Sequence, residues 1–242
     1  MIVAISTSGP QWSVWVGTDE RDPLACERTV AAVRGQSVDL LGLVGGLLKQ
    51  RQCEVADVAG FAVDVGPGSF TGVRAGMAWA RAVAWALAKP VCAVQSWQAM
   101  AAHAQHLTGS KATLCAIRAR QDAWYLGLVD IHGQMTSTAV VCATDVCDWS
   151  SEGSACGLAL AGSAWGDPAL ATAWQAASGY APLAVVDDCC ARWLAAVALR
   201  RPAHSWSTAL AAEPHYIAAS QAETRLTAAQ VASCSVMPKQ AE

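Results

Sequence analysis

Charge is scarce in this chain. Asp, Glu, Lys and Arg make up 14% of its 242 residues, against 54% apolar residues. That balance excludes a disordered chain and gives a globular one on the greasy side. No run of Lys or Arg occurs, and the formal net charge is −3. The chain therefore lacks the cationic footprint with which proteins grip a phosphate backbone. If RNA is a substrate, another subunit holds most of it. Ten cysteines are present without a single C-x-x-C. Cys189 and Cys190 are vicinal and most of the others sit singly in apolar runs, which excludes a disulfide framework and fits buried reduced thiols in a cytoplasmic protein. No basic segment precedes the first apolar run, so no signal peptide is expected. Cys142-x4-Cys147 and His103-x2-His106 have no convincing second pair, and no metal site is expected. The five histidines (103, 106, 132, 204 and 215) form no H-E-x-x-H, and Gly68-Ser69-Phe70-Thr71-Gly72 departs from G-x-S-x-G. Zinc and serine peptidase chemistry both lack their constellations. The longest apolar segment, Val73 to Ala88, is too short for a membrane span and carries Arg74 and Arg81.

What stands out against this background is Gly66-Pro67-Gly68-Ser69-Phe70-Thr71-Gly72-Val73-Arg74. An apolar run, Val58 to Val63, leads into it and the Ala/Trp-rich segment from Val73 follows. Three glycines, a proline and two hydroxyls between a strand and a helix make a tight, backbone-rich turn. Two readings stay open. Free N–H groups at a helix N-terminus cradle phosphate or carboxylate. Alternatively, the turn is structural, with Ser69 or Thr71 capping the helix. A Walker A loop is excluded, because no Lys-Ser/Thr follows the last glycine.

The chain is long enough to bury a full core, in one large domain or two small ones. Its first third predicts β-β-β-α-β-α. Ile2–Ser6 and Trp12–Gly17 are short apolar runs split by Ser-Gly-Pro, and Leu24–Val30 is a third strand. Ser37 to Arg51 has Leu40, Leu41, Val44, Leu47 and Leu48 at helical spacing, with Ser37 as N-cap. Phe61–Val65 is a strand, Val73–Ala88 a helix, Val91–Val94 a strand and Trp97–Leu107 a helix. Three strands in meander followed by alternating helix and strand predict a mixed sheet with helices on its faces. Thr108-Gly109-Ser110-Lys111 is a candidate boundary. Thr113–Ile117, Ala123–Asp130 and Met135–Cys142 predict a second sheet, with Gly133 in its last turn, and Asp187–Leu199 a helix. From Ala218 the chain is polar and Ala-rich and reads as a loosely held tail.

Val73–Ala88 is apolar nearly all round, with Val73, Met77, Trp79, Val83, Trp85 and Leu87 pointing in several directions. A helix on one sheet needs one apolar stripe. Either small alanines make this a buried central helix, or one face packs on the sheet and another on a partner. The Leu40–Leu48 helix is similarly wide.

The glycine-rich signature resembles that of the TsaB (YeaZ) family, a bacterial partner subunit in tRNA threonylcarbamoyladenosine synthesis. Ile2-Val3-Ala4-Ile5-Ser6-Thr7-Ser8 resembles the family's opening strand and Trp12-Ser13-Val14 its second. Gly35-Gln36-Ser37, Ala116-Ile117-Arg118-Ala119-Arg120 with Tyr125, Ala161-Gly162-Ser163-Ala164-Trp165 and Ala212-Glu213-Pro214-His215-Tyr216-Ile217 are similar to further family stretches. The resemblance spans nearly the whole chain in order. It implies an α/β protein of two ribonuclease H-like domains of the actin/Hsp70/sugar-kinase superfold, with mixed sheets, flanking helices and a smaller second domain. The corresponding boundaries are 1–108, 109–218 and a tail over 219–242.

The function it implies is a non-catalytic scaffold subunit for synthesis of N6-threonylcarbamoyladenosine (t6A) at adenosine 37 of tRNA. A TsaD-like subunit would catalyse the transfer, a TsaE-like ATPase would join the pair, and TsaC would supply threonylcarbamoyl-AMP. ATP and Mg are expected in the partner subunits, with no cofactor on this chain. Transfer RNA is reached through the complex, and a homodimer forms in isolation. The resemblance implies pairing through the two N-terminal helices, at Leu40, Leu41, Val44, Leu47, Leu48, Val73 and Met77, with Arg74 and Arg81 at the rim. It leaves Gly66, Gly68, Ser69, Thr71, Gly72 and Arg74 as contacts to a nucleotide or a partner. Relatives carry Asp at the position of Ser6, His at Gln36 and Asp at Arg118. A neutral hydroxyl at position 6 cannot supply the charge a Mg²⁺ site needs. The alternatives are an independent small-molecule or sugar kinase of the same superfold, and a glycoprotease-like peptidase.

Overall fold

The computed structural model describes residues 1–19, 21–32, 39–120, 122–153, 158–215 and 217. In chain order the elements are β1 (Ile2–Ser6), β2 (Gln11–Gly17), β3 (Cys26–Ala31), α1 (Leu40–Gln50), β4 (Gly60–Asp64), α2 (Phe70–Ala86), β5 (Val91–Val94) and α3 (Ser96–Thr108). There follow β6 (Ala112–Arg120), β7 (Ala123–Asp130), β8 (Met135–Val141), α4 (Val146–Gly153), β9 (Leu158–Ala161), α5 (Pro168–Ser178), β10 (Ala184–Val186) and α6 (Ala191–Arg200).

Two five-stranded sheets result, ordered β3-β2-β1-β4-β5 and β10-β9-β6-β7-β8. Each is an antiparallel meander whose first strand also pairs in parallel with a fourth, and the fourth or its counterpart with a fifth. The second sheet thus repeats the topology of the first, the mixed ribonuclease H-like arrangement expected. The central strands β1 and β4 are buried at every position. Strands covered on both faces need continuous apolar sequence rather than alternation, and Ile2-Val3-Ala4-Ile5 and Phe61-Ala62-Val63 supply it.

The molecule is layered. Val3, Ile5, Val14, Val16, Phe61 and Val63 form the outer face of the first sheet, under Val44, Leu47 and Leu48 of α1 and Val73, Met77 and Ala80 of α2. The outer face of the second sheet carries Leu114, Trp124 and Leu126 under Trp149 of α4 and Leu170 and Trp174 of α5. Between the two inner faces lie α3 and α6, in a shared core with Ile2, Ala4, Trp15, Cys115, Val129 and Ala161. Here the halves exchange helices. The third helix of the first half, α3, packs on β6, β7, β9 and β10, while α6 packs on β1, β2, β4 and β5. The N-terminus of α6 is pinned to the first sheet by Ala191 N–H donating to Ser13 Oγ (2.7 Å) and Arg192 N–H to Glu27 Oε1 (3.2 Å).

After α6 the chain returns across the edge of the first sheet. Ser207 and Val91 exchange N–H to carbonyl bonds of 2.9 Å. Ala209 and Ala212 are buried in the outer core, and His215 N–H donates to the Val65 carbonyl (2.8 Å).

Several expected boundaries move. The cap of α1 is Asp39, whose carboxylate accepts from Gly42 N–H at 2.8 Å; the predicted cap, Ser37, lies outside the described residues. Helix α2 starts at Phe70, not Val73, so half of the glycine signature is helix. Helix α6 starts at Ala191 rather than Asp187, and α4, β9, α5 and β10 fill a stretch with no predicted elements. The tail beginning at Ala218 lies outside the described residues.

Candidate functional site

The glycine signature leaves β4 at Asp64, on the inner face of the first sheet. Asp64 is fully buried. Its Oδ2 accepts from Ser6 Oγ (2.9 Å) and Ser8 Oγ, and its Oδ1 from Ser96 Oγ (2.6 Å) and Gly66 N–H (2.9 Å). Four donors fill the carboxylate's acceptor sites, which is what a buried carboxylate requires. Ser6 Oγ also lies 3.2 Å from the Cys189 carbonyl oxygen, so the network bridges the halves. Burial, reinforced by the Asp64 carboxylate, pushes the Cys189 thiol well up. Farther out, the β1–β2 turn meets Asp188: a Cβ on Gly9 would lie 3.2 Å from Asp188 Oδ1. Burial raises the Asp188 carboxyl, against the lowering effect of a hydrogen bond from Ser163 Oγ and with a further push from Asp187.

The glycines themselves are spoken for. Gly68 stands at φ +159° against the Ser8 backbone, and a Cβ on Gly72 would run into the Thr7 carbonyl oxygen. Thr7 Oγ1 donates to the Gly72 carbonyl (2.7 Å) and Ser69 N–H to the Ser8 carbonyl (2.7 Å). Gly72 N–H goes to Ser69 Oγ at 3.2 Å, the cap of α2. The amides of Gly66, Ser69 and Gly72 are thus bonded within the chain, and Ser69 caps α2, which is the arrangement the structural reading of the turn expects. Thr71 and Arg74 are exposed. The Arg74 guanidinium sits 4.9 Å from the ring centroid of Phe70, itself 47% exposed.

The expected pairing residues divide. Leu40, Val44, Leu47, Leu48, Val73 and Met77 are buried in the protein's own outer core, so these six are not available to a second subunit. Leu41 is exposed at 68%. Arg81 is no free rim charge: its Nη2 donates to the Leu210 carbonyl (3.1 Å) and ties the returning segment to α2. The face that α1 and α2 turn outward carries Leu41, Gly45 and Gly46 on one helix and Arg74, Ala78, Ala82 and Trp85 on the other. Trp85 is 68% exposed and the adjoining Leu210 65%. Small residues between large apolar ones let another helix approach closely.

Among known proteins, a family model described as TsaD: tRNA N6-adenosine threonylcarbamoyltransferase matches residues 30–155. The Bacillus subtilis (strain 168) tRNA threonylcarbamoyladenosine biosynthesis protein TsaB is 32% identical over 127 residues, 52% of this chain and 54% of that protein. The match thus spans about half the length of that curated relative. YeaZ from Pseudomonas aeruginosa superposes with a TM-score of 0.73 at 28% identity, over 89% of this chain and 99% of that one. A second Pseudomonas aeruginosa structure, described as similar to peptidase YEAZ, gives 0.73 at 26% identity, over 90% and 100%.

The chain belongs to the TsaB (YeaZ) family. The positions at which the resemblance leads one to expect other residues acquire definite surroundings. Ser6 is buried and turned onto Asp64 and the Cys189 carbonyl. Arg118 forms an ion pair with Asp167, the cap of α5, from a position 59% exposed. Gln36 lies outside the described residues. Sequence reasoning missed Asp64, although an acid ending an apolar run directly before the signature was a visible signal. It also missed Phe70 and Leu210, which gain meaning only once α2 and the returning segment lie side by side.

Among the described residues no group of three or more His, Cys, Asp or Glu is placed to hold a metal, and no helix is long and apolar enough to cross a membrane. Among the eight described cysteines, Cys92, Cys115 and Cys189 are buried, Cys26, Cys53 and Cys190 partly so, and Cys142 and Cys147 exposed. Cys156 and Cys234 lie outside the described residues.

Proposed function

We propose that this chain is a non-catalytic subunit in synthesis of N6-threonylcarbamoyladenosine at position 37 of tRNA, holding a TsaD-type transferase through the outward face of α1 and α2. The observation that carries the reading is that face. Leu41 on α1 and Trp85 on α2 each stand 68% exposed, and the outward positions of the two helices include Gly45, Gly46, Ala78 and Ala82. Exposed apolar area of this kind marks an association site. Membership of the TsaB family, and the name of the Bacillus subtilis relative, supply the pathway. The contact set is Leu41, Arg74, Ala78, Ala82 and Trp85, flanked by Phe70 and Leu210. Without the transferase the same face joins two copies of the chain in a cytoplasmic homodimer. ATP and Mg act in the partner subunits, including a TsaE-like ATPase, and tRNA binds the assembled complex. The filled glycine loop and the inward-turned Ser6 support a chain that does no phosphoryl chemistry of its own, and disfavour the kinase alternative. The test is depletion of the protein followed by nucleoside analysis of bulk tRNA. Loss of t6A is expected; unchanged t6A overturns the reading. Steady ATP turnover by the purified chain alone would return it to the kinase class.

A further inference from the structure

One cavity stands apart from both the pairing face and the Asp64 network. It has a volume of about 430 Å³ and lies between the returning segment and the carboxyl ends of β4 and β5, where Val65 and Gln95 follow those strands. The carboxyl ends of parallel strands are where open α/β sheets place ligands. The volume sits toward the small end of ligand pockets, roughly 300–1,000 Å³.

Its polar lining is incomplete in a specific way. Arg201 is held fixed by Nη1 donating to the Ala93 carbonyl (2.6 Å) and Nη2 donating to Gln98 Oε1 (2.8 Å), with Cys92 Sγ 3.7 Å from Nη1. A guanidinium has five N–H donors. Two of those of Arg201 therefore have no hydrogen-bond partner among the described residues. Glu213, which also lines the cavity, makes no hydrogen bond or ion pair among the described residues, and is not within ion-pair distance of Arg201. The side-chain amide nitrogen of Gln95 also has no hydrogen-bond partner among the described residues, its oxygen being used by Trp97 Nε1–H at 2.8 Å.

We propose that this cavity binds a free α-amino acid. The carboxylate meets the two open N–H groups of Arg201, a preorganised donor pair of the kind that favours carboxylates. The ammonium meets Glu213, and the side chain lies toward Val65 and the ring of His215. A simple anion would leave Glu213 opposed to it, and a simple cation would oppose Arg201, so a zwitterion is the occupant that matches both charges. This inference does not rest on the pairing reading, and the two fail separately.

The test uses the purified full-length chain. The twenty L-α-amino acids are screened singly at about 10 mM by thermal shift, a concentration that detects millimolar affinity, and binders are titrated calorimetrically. At least one amino acid binds saturably, and its N-acetyl and carboxamide derivatives each bind at least tenfold more weakly. Glu213→Gln, at an exposed carboxylate with no partner among the described residues, weakens the parent amino acid at least tenfold and leaves the melting temperature unchanged. Arg201→Gln does the same where it stays folded. Absence of binding by all twenty, equal binding of the N-acetyl derivative, or undiminished binding by Glu213→Gln overturns the proposal.

Discussion

Asp64 and Gly72 show how much of the glycine signature serves the fold. Replacing Asp64 with Asn keeps the shape but turns an amide N–H₂ toward hydroxyl and backbone donors. With several buried donors left unpaired, a loss of about 3 kcal/mol is expected, measured as a lower urea midpoint. Gly72→Ala drives a methyl into the Thr7 carbonyl oxygen. Backbone on both sides leaves little room to give, so about 2 kcal/mol or more is expected from overpacking. Gly45→Ala makes the control, because a Cβ there meets nothing within 4 Å and removing glycine from a helix interior stabilises by roughly 0.5–1 kcal/mol. A Gly72→Ala protein as stable as the parent would favour the open-cradle reading. The thiols sort the same way. Burial raises Cys92, Cys115 and Cys189, so iodoacetamide at neutral pH should label Cys142 and Cys147 first among the described cysteines, and mass-spectrometric mapping checks it. The spelling of the signature was legible in the sequence. Its function was not, because its fillers, Thr7 and Ser8, and the partners of Asp64 lie far away along the chain. Ser6 is 58 residues from Asp64 and Ser96 is 32.

At the scale of elements, legibility followed contrast. Strands β1, β5 and β7 were bounded to the residue, since short apolar runs end there in turn residues. The Ala-rich stretch between Cys142 and Asp187 offered no contrast and hid α4, β9, α5 and β10. In α1 and α2 the helices were plain but not their orientation, since glycine and alanine on one side and leucine and valine on the other differ little in polarity. Burial resolves it. Leu41→Glu and Trp85→Glu should therefore abolish dimer and heterodimer while leaving the circular dichroism spectrum intact, because a charge at a desolvated contact costs several kcal/mol, roughly. Leu47→Glu or Met77→Glu should unfold the protein, with a carboxylate forced into the core. Size exclusion with light scattering separates the outcomes, and a folded dimer carrying both Leu41→Glu and Trp85→Glu would refute the assigned face. The C-terminal end of α1 adds a pH dependence. Arg51 pairs with Asp22 at 2.8 Å. Burial alone would raise the Asp22 carboxyl, but the N–H groups of Leu24 and Thr18, with Arg51, bring it down to about 2 from 3.8. A lowered carboxyl stabilises the fold in full above its ordinary value, and that stability fades as pH falls from 3.8 through 2. Asp22→Asn should accordingly lower the urea midpoint at pH 5 and lose less than the parent between pH 4 and pH 2.

For the whole molecule, the exchange of α3 and α6 matters more than the count of sheets. The sequence marked a division near Gly109, and a loop does separate α3 from β6 there. Yet α3 seats on the sheet that follows the loop, and α6 returns to the sheet that precedes it. Cutting the chain at Gly109 would strip the inner face of the first sheet, with Ile2, Trp15 and Cys92, of α6. It would also leave Trp97 and Met100 of α3 without their sheet. Each large apolar side chain contributes roughly 1.5–3 kcal/mol on burial, so losing even five such contacts matches the whole stability of a typical domain, about 5–15 kcal/mol. The bonds from Ala191 and Arg192 to Ser13 and Glu27 would go as well. The intact chain should then unfold in one transition, with tryptophan fluorescence and far-ultraviolet circular dichroism coincident. Fragments 1–108 and 109–242 expressed apart should show no cooperative melting, and mixing them from denaturant should restore it. A fragment that melts cooperatively alone, or two separated transitions in the intact chain, would mean that the exchanged helices do not couple the halves.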